Sequence, residues 1–183
     1  NGNLFPGRSG YAGSIGQMLV PVSEADGTVV LRQLLHVASI YNLERRLAAS
    51  GGDPASVSTD AGWKTIAEPV MEAWIDEVAA GIAYALVNAG SVIDFQAAII
   101  DGAMPPDIRA RIIPRVRAKF EALDRTGLPP FAIIEGLIGY RARAIGGASL
   151  PFLAKFMRDR ELLFRDLSDT RPGGAHAARP SAF

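Results

Sequence analysis

From about Thr65 to Asn88 the sequence reads as a long helix. Its apolar positions, Val70, Met71, Trp74, Ile75, Val78, Ile82 and Leu86, cover a wide face rather than a narrow stripe. A helix of that kind is largely buried, so the rest of the 183 residues must pack around it. Gly81 sits inside it, at a cost of about 1 kcal/mol relative to Ala, which predicts close approach of another backbone. The longest apolar stretch, Val78 to Ala89, is interrupted by Gly81 and Asn88 and is too short to cross a bilayer.

The flanking segments supply partners for that helix. Met18 to Val22 is a short strand candidate, which Pro21 pushes toward a sheet edge. A turn follows at Ala25-Asp26-Gly27. Val30 to Ser50 reads as one helix, with Leu31, Leu34, Leu35 and Ala38 on one side, stopped by Gly51-Gly52. Asp53 to Thr59 is a loop, and Asp60 is positioned to cap a turn. Ala97 to Ile100 and Phe131 to Ile134 read as buried strands. Between them Pro105-Pro106-Asp107 opens a helix through about Leu123, which Pro114 should kink. A last helix spans Leu137 to Ala148, is broken or restarted at Pro151 and ends near Phe164. Residues 1–167 form one lobe on this reading, and 168–183 a polar tail.

Strands alternating with helices make the fold class α/β, helix-rich with few strands. Two strands cannot form a parallel sheet covered on both faces, so the rest of the sheet is expected from missing sequence or from a partner. The Asn1-Gly2 turn signal suggests a hairpin partner upstream. The first residue is Asn, as expected of a processed chain or a fragment. The Gly-rich opening, Asn1 to Gly16, has no apolar core and does not read as a signal peptide. A cytoplasmic protein is expected.

Composition excludes several chemistries. Lys+Arg and Asp+Glu both number 19, and this balance argues against a stand-alone DNA-binding domain. There is no cysteine, hence no disulfide, thiol nucleophile or cysteine zinc site. Of the two histidines, His36 lies in a helix and His176 in the tail, and neither neighbours a nucleophile turn. A partly buried structural histidine is the plain reading of His36. Gly10, Gly13 and Gly16 make either a flexible loop that needs positive φ or a ligand loop. Asp101-Gly102-Ala103 ends a strand just before a helix N-terminus, where α/β sheets bind ligands. A capping aspartate is the competing reading. Arg109, Arg111, Arg115, Arg117 and Lys119 on the next helix make a solvated face or, less in keeping with a neutral chain, a nucleic-acid patch.

Four segments, in order, resemble the ROK family of repressors and sugar kinases. Asn1 to Gln17 is similar to its Gly-rich loop followed by Ala-Gly-Glu-Ile-Gly-His. Leu34 to Ser39 stands where the family has Leu-Glu-x-x-Ala-Ser. Gly81 to Gly102 resembles its long helix, turn and strand ending in a Gly-rich adenosine loop. Leu137 to Ala148 resembles its late Leu-Gly-x-x-Ala-x-x-Gly-Ala-Ala segment. The likeness spans roughly residues 1–157. It implies the C-terminal lobe of a two-lobed, actin-like ATPase fold of the ribonuclease H type, with the catalytic aspartate in the other, missing N-terminal lobe.

The departures matter as much as the matches. The family's sugar-binding Glu and His correspond to Ser14 and Gln17 here, and its later sugar-binding Glu corresponds to Leu35. The adenosine loop reads Asp101-Gly102-Ala103 instead of three glycines, so a Cβ flanks Gly102 on each side. Ser14, Gln17 and His36 are therefore candidate sugar or effector contacts, since Ser and Gln still hydrogen-bond neutral ligands. Asp101, Gly102 and Ala103 are a degenerate candidate nucleotide site. No metal site is expected and no zinc; ATP and magnesium enter only if the protein is a kinase. The resemblance then implies the effector-binding and dimerisation half of a ROK-type transcriptional regulator, non-catalytic, with DNA bound only through an absent upstream domain. The alternative is the C-terminal lobe of an ATP-dependent sugar kinase with altered specificity. A homo-oligomer, a small sugar-like effector and no membrane complete the expectation.

Overall fold

The computed structural model describes residues 7–156, in two compact units, one through Tyr140 and one from Arg141. The Asn1-Gly2 turn, the predicted helix end near Phe164 and the 168–183 tail lie outside the described residues.

The first unit begins with glycine turns and a short 3-10 turn, Ile15–Gln17, that leads into an antiparallel hairpin. Its strands are β1 (Leu19–Ser23) and β2 (Val29–Gln33), with Val20 opposite Arg32 and Pro21 opposite Leu31. The helix predicted from Val30 to Ser50 is thus wrong over its first turn. Val29 and Val30 favour a strand, and Gly27 at φ 82° closes the hairpin turn from Asp26, whose carboxylate accepts from the Thr28 amide. The remainder is split into α1 (Leu34–Val37) and α2 (Ile40–Ala49), because Ser39 restarts the helix by accepting from the Asn42 amide.

A 3-10 turn, Pro54–Ser58, and α3 (Asp60–Trp63) follow. Thr59, not Asp60, is the cap: its hydroxyl accepts from the Gly62 amide. The long helix α4 runs Glu68–Val92, starting later than predicted because Pro69 sets its first turn. β3 (Ala97–Ile100), α5 (Pro106–Glu121) and β4 (Ala132–Glu135) follow in order. β3 and β4 pair in parallel, Ala98 against Ile133, through the α5 crossover. α5 is continuous through Pro114, whose ring faces solvent.

The core is centred on α4. Met71, Trp74, Ile75, Val78, Ala83 and Leu86 meet Ile112, Val116 and Phe120 of α5, Ile133 of β4, and Leu43 and Leu47 of α2. A smaller cluster, Val20, Leu34, Val37 and Ala85, ties the hairpin to the same helix. Gly81 lies here. A Cβ on it would come 3.1 Å from Val37 Cγ1 and 3.2 Å from Leu34 Cδ1, so side chains rather than the expected backbone exclude one.

The two sheets cover one face each. Ala98, Ile100 and Ile133 point to the core, whereas Ile99 and Ile134 are 70% and 43% exposed. On the hairpin, Leu19, Val29 and Leu31 face outward.

The second unit contributes α6, Ala142–Phe156, after a 3-10 turn at Gly139–Arg141. The helix starts later than the predicted Leu137, since Gly139 takes φ 62°. It continues through Pro151 instead of breaking there.

Candidate functional site

The carboxyl ends of β3 and β4 lie side by side, and the chain leaves them through Asp101 and Gly136. Asp101 organises this corner. Its Oδ1 accepts from the Gly102 amide at 2.8 Å and from Arg109 Nη1 at 3.1 Å. Its Oδ2 accepts from the Ile138 amide at 3.0 Å, and the Gly139 amide lies 3.1 Å from both oxygens. Burial works against the charged carboxylate, but the amides of Gly139, Gly102 and Ile138 and the Arg109 guanidinium outweigh it, holding its pKa below the ordinary aspartate value. Asp101 does not cap α5, which opens at Pro105 with no side-chain cap; its two oxygens instead tie the Gly102, Ile138 and Gly139 amides to Arg109.

Two glycines make that possible. A Cβ on Gly136 would fall 2.4 Å from Asp101 Cβ, and Gly139 needs its left-handed φ to aim its N–H at the carboxylate. Gly102 is covered by Met104, whose Cε and Sδ would lie 2.8 Å from an added Cβ. Ala103 is exposed beside it. This corner differs from an open three-glycine loop: the tip of Met104 lies over Gly102, and the Asp101 carboxylate already accepts from the chain's own amides.

Arg109 is buried, and its Nε donates to Glu135 Oε1 at 3.1 Å, so it bridges both strand ends from α5. The other cations of α5 are equally committed. Arg111 donates to Glu68 and Glu72, each at 2.5 Å; Arg115 pairs with Glu72; Lys119 reaches Asp76 at 3.0 Å. Arg117 donates to the Ile133 carbonyl through Nη2 at 2.6 Å. Hydrogen bonds from Arg111 and Arg115 hold the Glu72 carboxyl below its ordinary pKa. Apart from buried Arg109, the row is a partly solvated face, as one reading expected, and it is tied to α4 by an interhelical ladder of ion pairs.

The candidate effector residues fall near one another but are not gathered around one point. Ser14 precedes the 3-10 turn and Gln17 ends it, both exposed. Gly16 between them packs on α1, where an added Cβ would lie 3.3 Å from Leu35 Cβ. The loop that ends at Gln17 and the start of α1 are thus neighbours, with Leu35 of α1 43% exposed. Gly7, Gly10 and Gly13 do take positive φ, whereas Gly16 does not and is held by this packing. His36 is exposed rather than partly buried, and it faces a different cleft, bounded by the hairpin end, α2 and Glu77. Among the described residues no three His, Asp or Glu side chains gather as a metal centre, and Gln17 with a lone His36 does not fit zinc. No described helix is long and apolar enough to cross a membrane.

No protein-family profile matches the chain, and no curated protein matches it. Solved structures do. A ROK family glucokinase from Streptomyces griseus, in complex with glucose and AMPPNP, is similar with a TM-score of 0.56 at 19% identity, over 81% of this chain and 54% of that one. A candidate sugar kinase from Cytophaga hutchinsonii gives 0.52 at 21% identity, over 83% and 52%. This chain therefore spans about half the length of the structures it matches. The likeness establishes the fold: part of the actin-like ATPase architecture of ROK sugar kinases.

Proposed function

We propose that this chain is the C-terminal half of a ROK-type protein, and that it serves as the effector-binding and dimerisation half of a transcriptional regulator rather than as a catalyst. The observation that carries this is the closed corner at Asp101. A nucleotide loop needs open backbone and free donors. Here Met104 covers Gly102, and the Asp101 carboxylate takes the amides of Gly102, Ile138 and Gly139. The effector side supports the same reading. By the sequence resemblance, Ser14, Gln17 and Leu35 correspond to ROK sugar contacts, and a Leu in place of a carboxylate would remove the acceptor that a kinase uses to orient a sugar hydroxyl. Ser14 and Gln17 remain as polar groups for a small sugar-like effector, whereas His36 faces the other cleft. DNA would be bound by a domain outside this sequence, and the protein would act in the cytoplasm as a homodimer.

The test uses the natural protein that contains this sequence. With a panel of hexoses and ATP·Mg, coupled ADP detection should stay at the no-sugar background. Sedimentation should report a dimer, with one sugar altering its melting temperature. Sugar-dependent ADP release would overturn the reading and leave the second one, an ATP-dependent sugar kinase lobe with altered specificity. What favours that alternative is the fold shared with a glucokinase solved with glucose and AMPPNP.

A further inference from the structure

We propose that the cleft between the β1–β2 hairpin and α2 binds a phosphorylated small molecule, with Arg45, Arg46 and His36 as its contacts. The cleft holds about 420 Å3 and is lined from four elements, the hairpin, α1, α2 and α4. It concentrates cations. Arg32 enters from β2, and Arg45 and Arg46 from successive positions of α2. Carboxylates answer only part of that charge: Glu24 pairs with Arg32 at 2.5 Å, and Glu77 pairs with Arg46. Three arginines against two glutamates leave one positive charge. That charge belongs to Arg45, whose side chain meets no carboxylate or hydrogen-bond acceptor among the described residues.

Arg46 lines the cleft beside Arg45. The Nε of Arg46 is buried and has no acceptor among the described residues. Buried donors of this kind almost always have a partner. Partial burial also pulls the Arg46 pKa below its ordinary value, although the side chain is paired with Glu77. An oxyanion in the cleft supplies the acceptor that Arg45 lacks. It accepts from the free guanidinium of Arg45, where two parallel N–H bonds suit a phosphate, and from Arg46. The His36 imidazole adds a donor from α1, and Tyr41, one turn before Arg45 and 66% exposed, offers a hydroxyl at the rim. Glu24 and Glu77 flank the cleft and repel an extended polyanion, so the ligand is a small molecule rather than a nucleic acid. This site does not depend on the regulator reading: its residues are distinct from Ser14, Gln17 and the Asp101 corner.

Calorimetric titration of the natural protein with glucose 6-phosphate, inorganic phosphate and glucose tests it. Either phosphate should bind with a Kd below about 1 mM, while glucose should bind at least about 10-fold more weakly. Phosphate alone matching the phosphosugar assigns recognition to the oxyanion; a stronger phosphosugar extends it to the whole molecule. Arg45→Gln, at an exposed position, should leave the melting curve in place and weaken binding about 10-fold or more. Arg125→Gln, a cation stacked on Phe120 outside the cleft, is the charge-matched control and should bind as the parent does. The proposal fails if neither phosphate binds at 10 mM, if glucose binds as well as the phosphates, or if Arg45→Gln and Arg125→Gln behave alike.

Discussion

Asp101→Asn isolates the charge at the strand ends without changing side-chain volume. In the parent, four donors converge on two carboxylate oxygens, and three of them reach Oδ1. The variant amide best keeps its oxygen at the Oδ1 position, retaining Gly102, Arg109 and Gly139. Its NH2 then stands where Oδ2 accepted from Ile138 at 3.0 Å, and donor faces donor. One charge-assisted bond is lost, worth about 1.5–3 kcal/mol. Buried Arg109 also keeps only Glu135 as a charged partner. Together these give an expected loss of about 2–4 kcal/mol at pH 7. With a urea slope of about 2 kcal/mol/M, the midpoint falls by about 1–2 M. The pH dependence has a definite sign. A carboxyl whose folded pKa is depressed stabilises the fold above its unfolded value, about 3.9, and that stability is lost as pH falls through the folded value. The parent should therefore lose its advantage over the variant on acidification. Urea unfolding of both proteins at steps from pH 7 to pH 3 measures the gap. A difference under about 0.5 kcal/mol at pH 7, or one that stays constant into acid, refutes this account of Asp101.

Three further outcomes follow from contacts. Gly136→Ala should cost about 3 kcal/mol or more, since its Cβ falls 2.4 Å from that of Asp101 and must expel the carboxylate from its amides; loss of protection at the Ile138 and Gly139 amides in hydrogen exchange would locate the damage. Gly81→Ala sets a helix-propensity gain of about 1 kcal/mol against crowding of Val37 and Leu34 at 3.1 and 3.2 Å. The balance should be near neutral to about 1 kcal/mol unfavourable by urea unfolding. Trp74→Phe removes the indole N–H that donates to the Ser39 carbonyl at 3.2 Å and leaves a small void in the centre of the core. A loss of about 2 kcal/mol in chemical denaturation is expected.

The parts of the fold legible in the sequence were those with one dominant period. α4 and α5 showed their apolar faces, and β3 and β4 stood out as short apolar runs bounded by turns. β2 was hidden because Leu31, Leu34, Leu35 and Ala38 mimic helical spacing across what is a strand followed by a helix turn. The Val29-Val30 pair behind an Asp-Gly turn was the signal that distinguished them. At the candidate site Asp101 was legible as a strand-end residue, but its partners were not. Arg109 could have been found: it shares a face with Ile112, Ile113 and Val116, three, four and seven residues on, and all four are buried. Gly136 and Gly139 were not visible as partners of Asp101, because nothing local brings residues more than 30 positions apart to one carboxylate. The cleft at Arg45 draws on four elements and was legible only as the single residue His36.

The ladder between α4 and α5 repeats every four residues on both helices, 68, 72 and 76 against 111, 115 and 119, at a constant offset of 43. Equal rungs cannot count. Sliding α5 one turn would pair Arg111 with Glu72 alone and Arg115 with Asp76, keeping two rungs of charge and losing only Lys119 to an alanine, Ala80. Opposite charges thus say that these helices lie parallel and adjacent, but they are nearly blind to which turn meets which. The odd shapes beneath them, Trp74 and Phe120 among small alanines, and Arg109 clamped between two strand ends, act as the vernier that selects one setting from several of nearly equal charge energy.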